Sequence, residues 1–174
     1  MARVKSVERF IVASRSEISA RKVCGQVGSS LVRPIALCAT TGIREAIGDA
    51  DVVVTATSIE VDSDLVCATW LKEDAIVCSP GSYREVDFEL VSGAWIVVHD
   101  FEHVQQRRGD LREGGIGWGR VAGDVASLTA GQLNLPGHDK RIYVIVGRIG
   151  ALDVALGSRA LASVRRKGGG VGLS

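Results

Sequence analysis

The chain has 174 residues, 46% of them hydrophobic, which is enough to bury one sizeable core, and 21 basic against 20 acidic residues leave a net charge of +1. So even a balance sets up no global field for nucleic acid or anionic lipid, and both are excluded as default partners. The four cysteines, Cys24, Cys38, Cys67 and Cys78, are widely spaced, form no C-x-x-C pair and lie in apolar stretches. That is the pattern of reduced thiols packed as small hydrophobes, expected of a cytoplasmic protein.

The start "MARVKSVERFIVASR" holds only a short apolar run before charge returns, too short for a signal-peptide core, and no later stretch approaches membrane-spanning length. A soluble chain with no membrane partner is expected. The first predicted strand is "RFIVAS", Arg9 to Ser14, followed by a helix in "SEISARKVCGQVG". Ser16 is its candidate N-cap, Ile18, Val23 and Val27 share one side, and Gly28 can close it. "PIALCA", "TGIREAIGDA" and "DVVVTA" continue the alternation, giving the βαβαβ order of a parallel sheet with crossover helices. The three valines at 52–54 read as a buried strand.

"AIVCS" (Ala75 to Ser79), a helical piece around "DFELVSG" and the strand "AWIVVHD" (Ala94 to Asp100) follow. From Phe101 to Arg108 the chain turns polar and helical, then glycine-rich in "REGGIGWGRVAG", then helical again in "DVASLTAGQL". "RIYVIV" (Arg141 to Val146) is a last strand, and "GALDVALGSRALASVRR" a last helix whose terminal arginines suit its dipole. Residues 1–166 are expected to form one domain and residues 167–174, glycine-rich, a disordered tail. No internal repeat is present.

In open parallel sheets, ligands bind beyond the carboxyl ends of the strands. Here those ends read Ser14-Arg15-Ser16, Thr55-Ala56-Thr57-Ser58 and Ser79-Pro80-Gly81-Ser82, all small or hydroxylic with one arginine. Small side chains let a flat or extended ligand approach the backbone, and hydroxyls bind ribose, amide or phosphate oxygens. The competing reading is that Thr-Ala-Thr-Ser caps a helix. The glycine fingerprint of dinucleotide sites is missing upstream of "RFIVAS", and the glycines of Gly114 to Gly119 follow a polar stretch rather than a strand, so they read as a surface loop.

In order, "VASRS", "IGDADVVVTATS", "TWLKEDAIVCSPGSYREVDFELV", "RRGDL", "GDVASLTAGQLNLPG" and "GALDVAL" resemble the ornithine cyclodeaminase/mu-crystallin family, over roughly Arg9 to Leu161. The resemblance implies an α/β, Rossmann-type doubly wound, mostly parallel sheet from dimeric NAD- or NADP-dependent proteins acting on amino or imino acids. It places Ser14, Arg15 and Ser16 beside the adenine ribose, Thr55, Ala56 and Thr57 at the cofactor face, and Gly81 and Ser82 at the turn near the nicotinamide. An acid after the second strand would accept from a ribose 2′-hydroxyl, whereas Arg15 with hydroxyls favours a 2′-phosphate, so NADP is preferred over NAD. An ordinary solvated arginine beside a helix cap is the alternative.

The chain departs from the family in three ways. It has no counterpart of the N-terminal substrate and dimerisation domain, it lacks the first strand with its glycine-rich turn, and it carries no aspartate insertion after "AIVCS". Val146 also stands where the family often has a serine. Asp87 is assigned to the start of a helix, and no catalytic residue is assigned. A C-terminal portion inactive alone is expected, with an open sheet edge that favours homo-oligomers or other association. The rival reading is a non-catalytic nucleotide-binding or protein-interaction remnant. A shikimate-dehydrogenase-like reductase shares an "ADVVVTATS"-like strand but fits the later motifs poorly.

His99, Glu102 and His103 offer at most part of a metal site and read as a solvated helix. A Cys78–His138 nucleophile has no support. Tyr83, Arg84 and Glu85 are read either as substrate contacts or as a loop's polar surface.

Overall fold

The computed structural model describes residues 7–31, 33–57, 64–80, 85–102 and 120–146, together with Val154, Ser158, Arg159 and Ala162. The polar stretch to Arg108 beyond Glu102, the glycine-rich segment up to Gly119, most of the last helix and the tail lie outside the described residues.

The alternation read in the sequence is present. Strands β1 (Arg9–Ala13) and β2 (Ala36–Thr40) flank helix α1 (Glu17–Ser30); α2 (Ile43–Ile47) leads to β3 (Val52–Val54); β4 (Ile76–Ser79), α3 (Phe88–Gly93) and β5 (Trp95–Val98) follow. After these come β6 (Val121–Asp124), α4 (Val125–Thr129) and β7 (Ile142–Ile145). All described pairings are parallel, as crossover connections require. They form a two-stranded sheet, β1-β2, and a five-stranded sheet in the order β3-β4-β7-β5-β6.

Central strands of a parallel sheet are covered on both faces and therefore read as unbroken apolar runs. Ile96, Val97 and Val98 of β5, with Val77 of β4 and Tyr143 of β7, are all fully buried. β3 differs from expectation. Only Val53 is buried, while Val52 and Val54 are 57% and 61% exposed, because among the described residues β3 pairs with β4 alone and its outer face is uncovered. The two sheets share no hydrogen-bonded ladder, but Ile11 of β1 and Ile43 of α2 pack onto the main core around Ile47, Val53 and Val77.

α1 also departs from expectation. Its buried stripe is Ala20 and Cys24, whereas Ile18 is 83% exposed and Val23 is exposed as well. Small residues let the helix lie close to its sheet, and a Cβ at Gly28 would stand 3.1 Å from Leu37 Cδ1. Gly28 is thus inside the helix, which runs on to Ser30, and the Leu31 N–H returns to the Gly28 carbonyl. The strand β6 was not legible: half of "VAGD" is small residues, and Gly123 is accommodated because a Cβ there would meet Leu133 Cδ1 at 2.7 Å. α4 is correspondingly shorter than the segment to Leu133.

Asp87 joins two segments. Its Oδ1 accepts the Leu90 N–H at 2.8 Å as N-cap of α3, and its Oδ2 accepts the Ala68 N–H at 2.9 Å. Replacing Asp87 with Ala removes a helix cap and leaves the Ala68 donor unmet, at a cost of about 2 kcal/mol. Urea denaturation of Asp87→Ala should show this loss, with Asp87→Asn closer to wild type; an unchanged midpoint for the alanine variant would refute the bridging role.

Candidate functional site

The carboxyl ends of the strands carry two clusters of the expected residues. The first follows β1. The Ser14 N–H continues the ladder to the Thr40 carbonyl at 3.1 Å. Ser16 caps α1, its Oγ accepting the Ser19 N–H at 3.2 Å and lying 2.8 Å from the Ser19 hydroxyl. Its hydroxyl is therefore committed to the helix. Arg15 is exposed at the same helix start, and no described residue holds its guanidinium. The Arg21–Glu17 pair one turn on is an exposed i, i+4 bridge of small worth.

The second cluster follows β3 and β4. Thr55, Ser79 and Glu85 are the buried polar residues among the described ones, and they form one unit. Thr55 Oγ1 lies 2.5 Å from Glu85 Oε2 and 2.9 Å from Ser79 Oγ. Thr57 donates its backbone N–H to Glu85 Oε1 at 3.1 Å, and its hydroxyl donates to the same oxygen. Glu85 is 1% exposed, so the reading of this residue as polar loop surface or substrate contact is overturned. Thr55 is buried, whereas Ala56 and Thr57 are exposed. Gly81 and Ser82, expected at the nicotinamide turn, lie outside the described residues, as do Ser58, Tyr83 and Arg84.

Sequence reasoning did not single out Glu85 as structural because it stands between Arg84 and Val86 with nothing local to mark it as buried. Its place is set by the backbone around it. The Leu65 and Val66 N–H groups both donate to the Glu85 carbonyl at 3.0 Å, the Asp87 N–H donates to the Val66 carbonyl at 3.0 Å, and Val66 bridges Val86 in parallel. This short zipper, with the Asp87 cap behind it, delivers the carboxylate to the ends of β3 and β4.

Tyr143, fully buried in β7, stands on the same face. Burial pushes its phenol far above the ordinary 10.0, Ser79 draws it partly back, and Glu85 adds to the rise. Ser79 is near enough to exert that pull, yet the phenol oxygen has no partner at hydrogen-bonding geometry among the described residues. Burial likewise raises the Cys78 thiol, and burial followed by Asp87 raises Cys67. All four cysteines are free, and Cys38 is exposed rather than packed inside. Exposed His138 precedes β7, whereas Cys78 sits near the carboxyl end of β4, opposite Val144, so the two belong to opposite ends of the sheet.

A cavity of about 270 Å³ lined by Glu73, Glu89, Asp139 and Arg141 opens at the amino ends of the strands, away from both clusters. Among the described residues, no group of three or more His, Cys, Asp or Glu is placed to hold a metal, and no helix is long and apolar enough to cross a membrane. His103 lies outside the described residues.

No protein-family model matches the sequence, and no curated protein matches it significantly. Solved structures do. Δ1-pyrroline-2-carboxylate reductase of Thermococcus litoralis, in complex with NADH and L-proline, superposes with a TM-score of 0.79 at 21% identity, over 98% of this chain and 54% of that one. An archaeal alanine dehydrogenase dimer with bound NAD gives 0.75 at 22% identity, over 99% and 54%. A probable ornithine cyclodeaminase from Bordetella pertussis Tohama I gives 0.68 at 23%, over 95% and 54%. The chain thus spans about half the length of each and shares its Rossmann-type fold; the last is a kind of protein that the motif resemblance names.

The buried phenol generates a pH prediction. An unfolded chain releases the Tyr143 proton near 10.0, and the folded chain only at higher pH. Above pH 10 the unfolded state therefore binds fewer protons, so stability falls as pH rises. Denaturant midpoints should drop above that pH and drop less steeply in Tyr143→Phe, a variant close to wild type at neutral pH because the phenol oxygen has no partner to lose among the described residues. Equal alkaline slopes would contradict the burial.

Proposed function

We propose that this chain is the nicotinamide-nucleotide-binding part of an oxidoreductase of the ornithine cyclodeaminase/mu-crystallin family, one acting on a small amino or imino acid. The observation that carries the reading is the pair of polar strand ends on the carboxyl side of a parallel, Rossmann-type sheet, where such folds bind nucleotides. The solved neighbours support it, since two of them are complexes with NADH or NAD. Bound there, the cofactor would supply a hydride donor or acceptor.

The residues present suit parts of that group. Arg15, with no described partner at the start of α1, fits a phosphate on the adenine ribose and favours NADP over NAD. Ser14 borders the same place, while Ser16 contributes through the helix it caps rather than through a free hydroxyl. Ala56 and Thr57 are exposed at the end of β3 and fit the nicotinamide side of the molecule, and Thr55 supports them from within. Gly81 and Ser82 are retained as candidates for the turn beside the ring. No lysine or arginine for the substrate carboxylate is identified among the described residues.

The sheet order also supports incompleteness. In a doubly wound sheet the first strand of the fold lies between the second and the fourth, and here the corresponding strands, β1 and β3, each have one edge unpaired among the described residues. The strand and glycine-rich turn that bind a diphosphate would fit between them. Without that segment the described residues would be inactive, and open edges with exposed Val52 and Val54 would favour association of copies. The second reading, a non-catalytic interaction remnant, draws on those same edges.

Fluorescence titration with NADPH and NADH separates the readings. Saturable binding is expected, tighter for NADPH, with Arg15→Ala weakening NADPH about tenfold and NADH much less. Failure of the folded protein to bind either nucleotide would overturn the proposal, and association in size-exclusion chromatography that ignores the nucleotide would favour the remnant.

A further inference from the structure

Glu85 dictates where three protons point. A carboxylate has no proton to give, so every hydrogen bond to it is a donation. Thr57 gives it both the backbone N–H and the hydroxyl, at Oε1, and Thr55 gives its hydroxyl at Oε2. A hydroxyl carries one proton, so both threonine hydroxyls are committed. Thr55 Oγ1, 2.9 Å from Ser79 Oγ, then has only lone pairs for that neighbour and accepts the Ser79 proton. The chain runs one way, from Ser79 through Thr55 to Glu85.

Thr57 is the end of this arrangement that meets solvent. Free threonines donate or accept as a ligand demands, but this hydroxyl is turned inward by the carboxylate, and its amide is turned inward with it. What Thr57 Oγ1 has left to offer is a lone pair. Such an atom attracts a ligand hydrogen-bond donor and repels an anionic oxygen.

We propose that Glu85 is a positioning residue that makes Thr57 a pure acceptor, so that the end of β3 recognises a hydrogen-bond donor on the nicotinamide side of the nucleotide and rejects phosphate. This inference rests on the nucleotide-binding reading above. The donor is either the carboxamide N–H or a ribose hydroxyl, which share the required chemistry. It also separates the two clusters by polarity: Arg15 takes the anion, and Thr57 takes the donor.

The test is a selectivity ratio, which loss of stability alone does not move. The full chain is titrated with the reduced nucleotide, with its acetylpyridine analogue, in which a methyl replaces the amide nitrogen, and with an analogue methylated on the nicotinamide ribose hydroxyls. Wild type should prefer the parent over one analogue by about tenfold, the value of one unmatched hydrogen bond, and the analogue that suffers identifies the donor. The ratio should survive in Glu85→Gln, whose carbonyl oxygen must face the Thr57 N–H and so still takes the Thr57 hydroxyl proton, and should fall in Glu85→Met, which has no such acceptor and frees that hydroxyl to donate to a ligand. It should fall likewise in Thr57→Val and survive in Thr57→Ser.

If Glu85→Met does not fold, Thr57→Val carries the test, since it leaves the Ser79–Thr55–Glu85 chain in place. A ratio of one in wild type, or one unchanged by Thr57→Val or by folded Glu85→Met, overturns this inference while leaving nucleotide binding standing. Folded wild type that binds none of the nucleotides overturns the underlying reading and this inference with it.

Discussion

A buried carboxylate is the constraint around which this fold is arranged. Moving a charge out of water costs several kcal/mol unless hydrogen bonds replace the lost solvation, and neither the Arg21–Glu17 nor the Lys72–Asp51 ion pair includes Glu85. Its compensation comes from the N–H and hydroxyl of Thr57 and the hydroxyl of Thr55. Those donors belong to the end of β3, about thirty residues earlier in the chain, so satisfying the charge fixes the approach of the 85–87 segment to the sheet. The zipper with Leu65 and Val66 and the two hydrogen bonds that Asp87 accepts make that approach rigid. What sequence analysis read as a row of cofactor-contacting hydroxyls is in part the internal solvation of a glutamate.

The sheet has a second constraint, at its divided edge. β1-β2 and the five-stranded sheet are held together by packing, through Ile11 and Ile43, rather than by a hydrogen-bonded ladder. Unpaired backbone groups on an edge strand attract further strands. Packing alone is also softer than a ladder, because side chains slide where hydrogen bonds do not. The two polar clusters stand on opposite sides of this division, one after β1 and one after β3. Any ligand that touches both therefore bridges the parts of the sheet that backbone pairing leaves separate.

Much of the fold was legible because parallel strands and their crossovers write themselves locally. The runs at β1, β4, β5 and β7 are apolar, and the caps Ser16 and Asp87 sit at helix starts. What failed needed long-range information. Val52 and Val54 have the residue type of a core strand, but their face of β3 is left uncovered by the described residues. The stripe of α1 is built from Ala20 and Cys24, too small to outweigh Ile18 and Val23 in a periodicity. β6 has no run of branched residues to announce it. Glu85 sits between polar and apolar neighbours with nothing local to mark it as buried, since its partners come from another strand. Thr55, Ala56 and Thr57 were found from their place at a strand end, but their division into one buried support and two exposed positions was not.

The direction of hydrogen bonds adds a level that residue identity does not carry. Two threonines, two residues apart on one strand end, differ in what they offer although their chemistry is the same. Thr55 is enclosed, with its proton given to Glu85 and its lone pair to Ser79; Thr57 has its proton held inward and its outer side open. A cation stands at the other cluster with no described counterion. A molecule that carries anionic oxygens at one end and N–H or O–H groups at the other meets favourable partners at both ends in one orientation and unfavourable partners at both when reversed. On the proposed reading, then, a single buried glutamate contributes to which way round a dinucleotide lies, and it does so without touching the ligand.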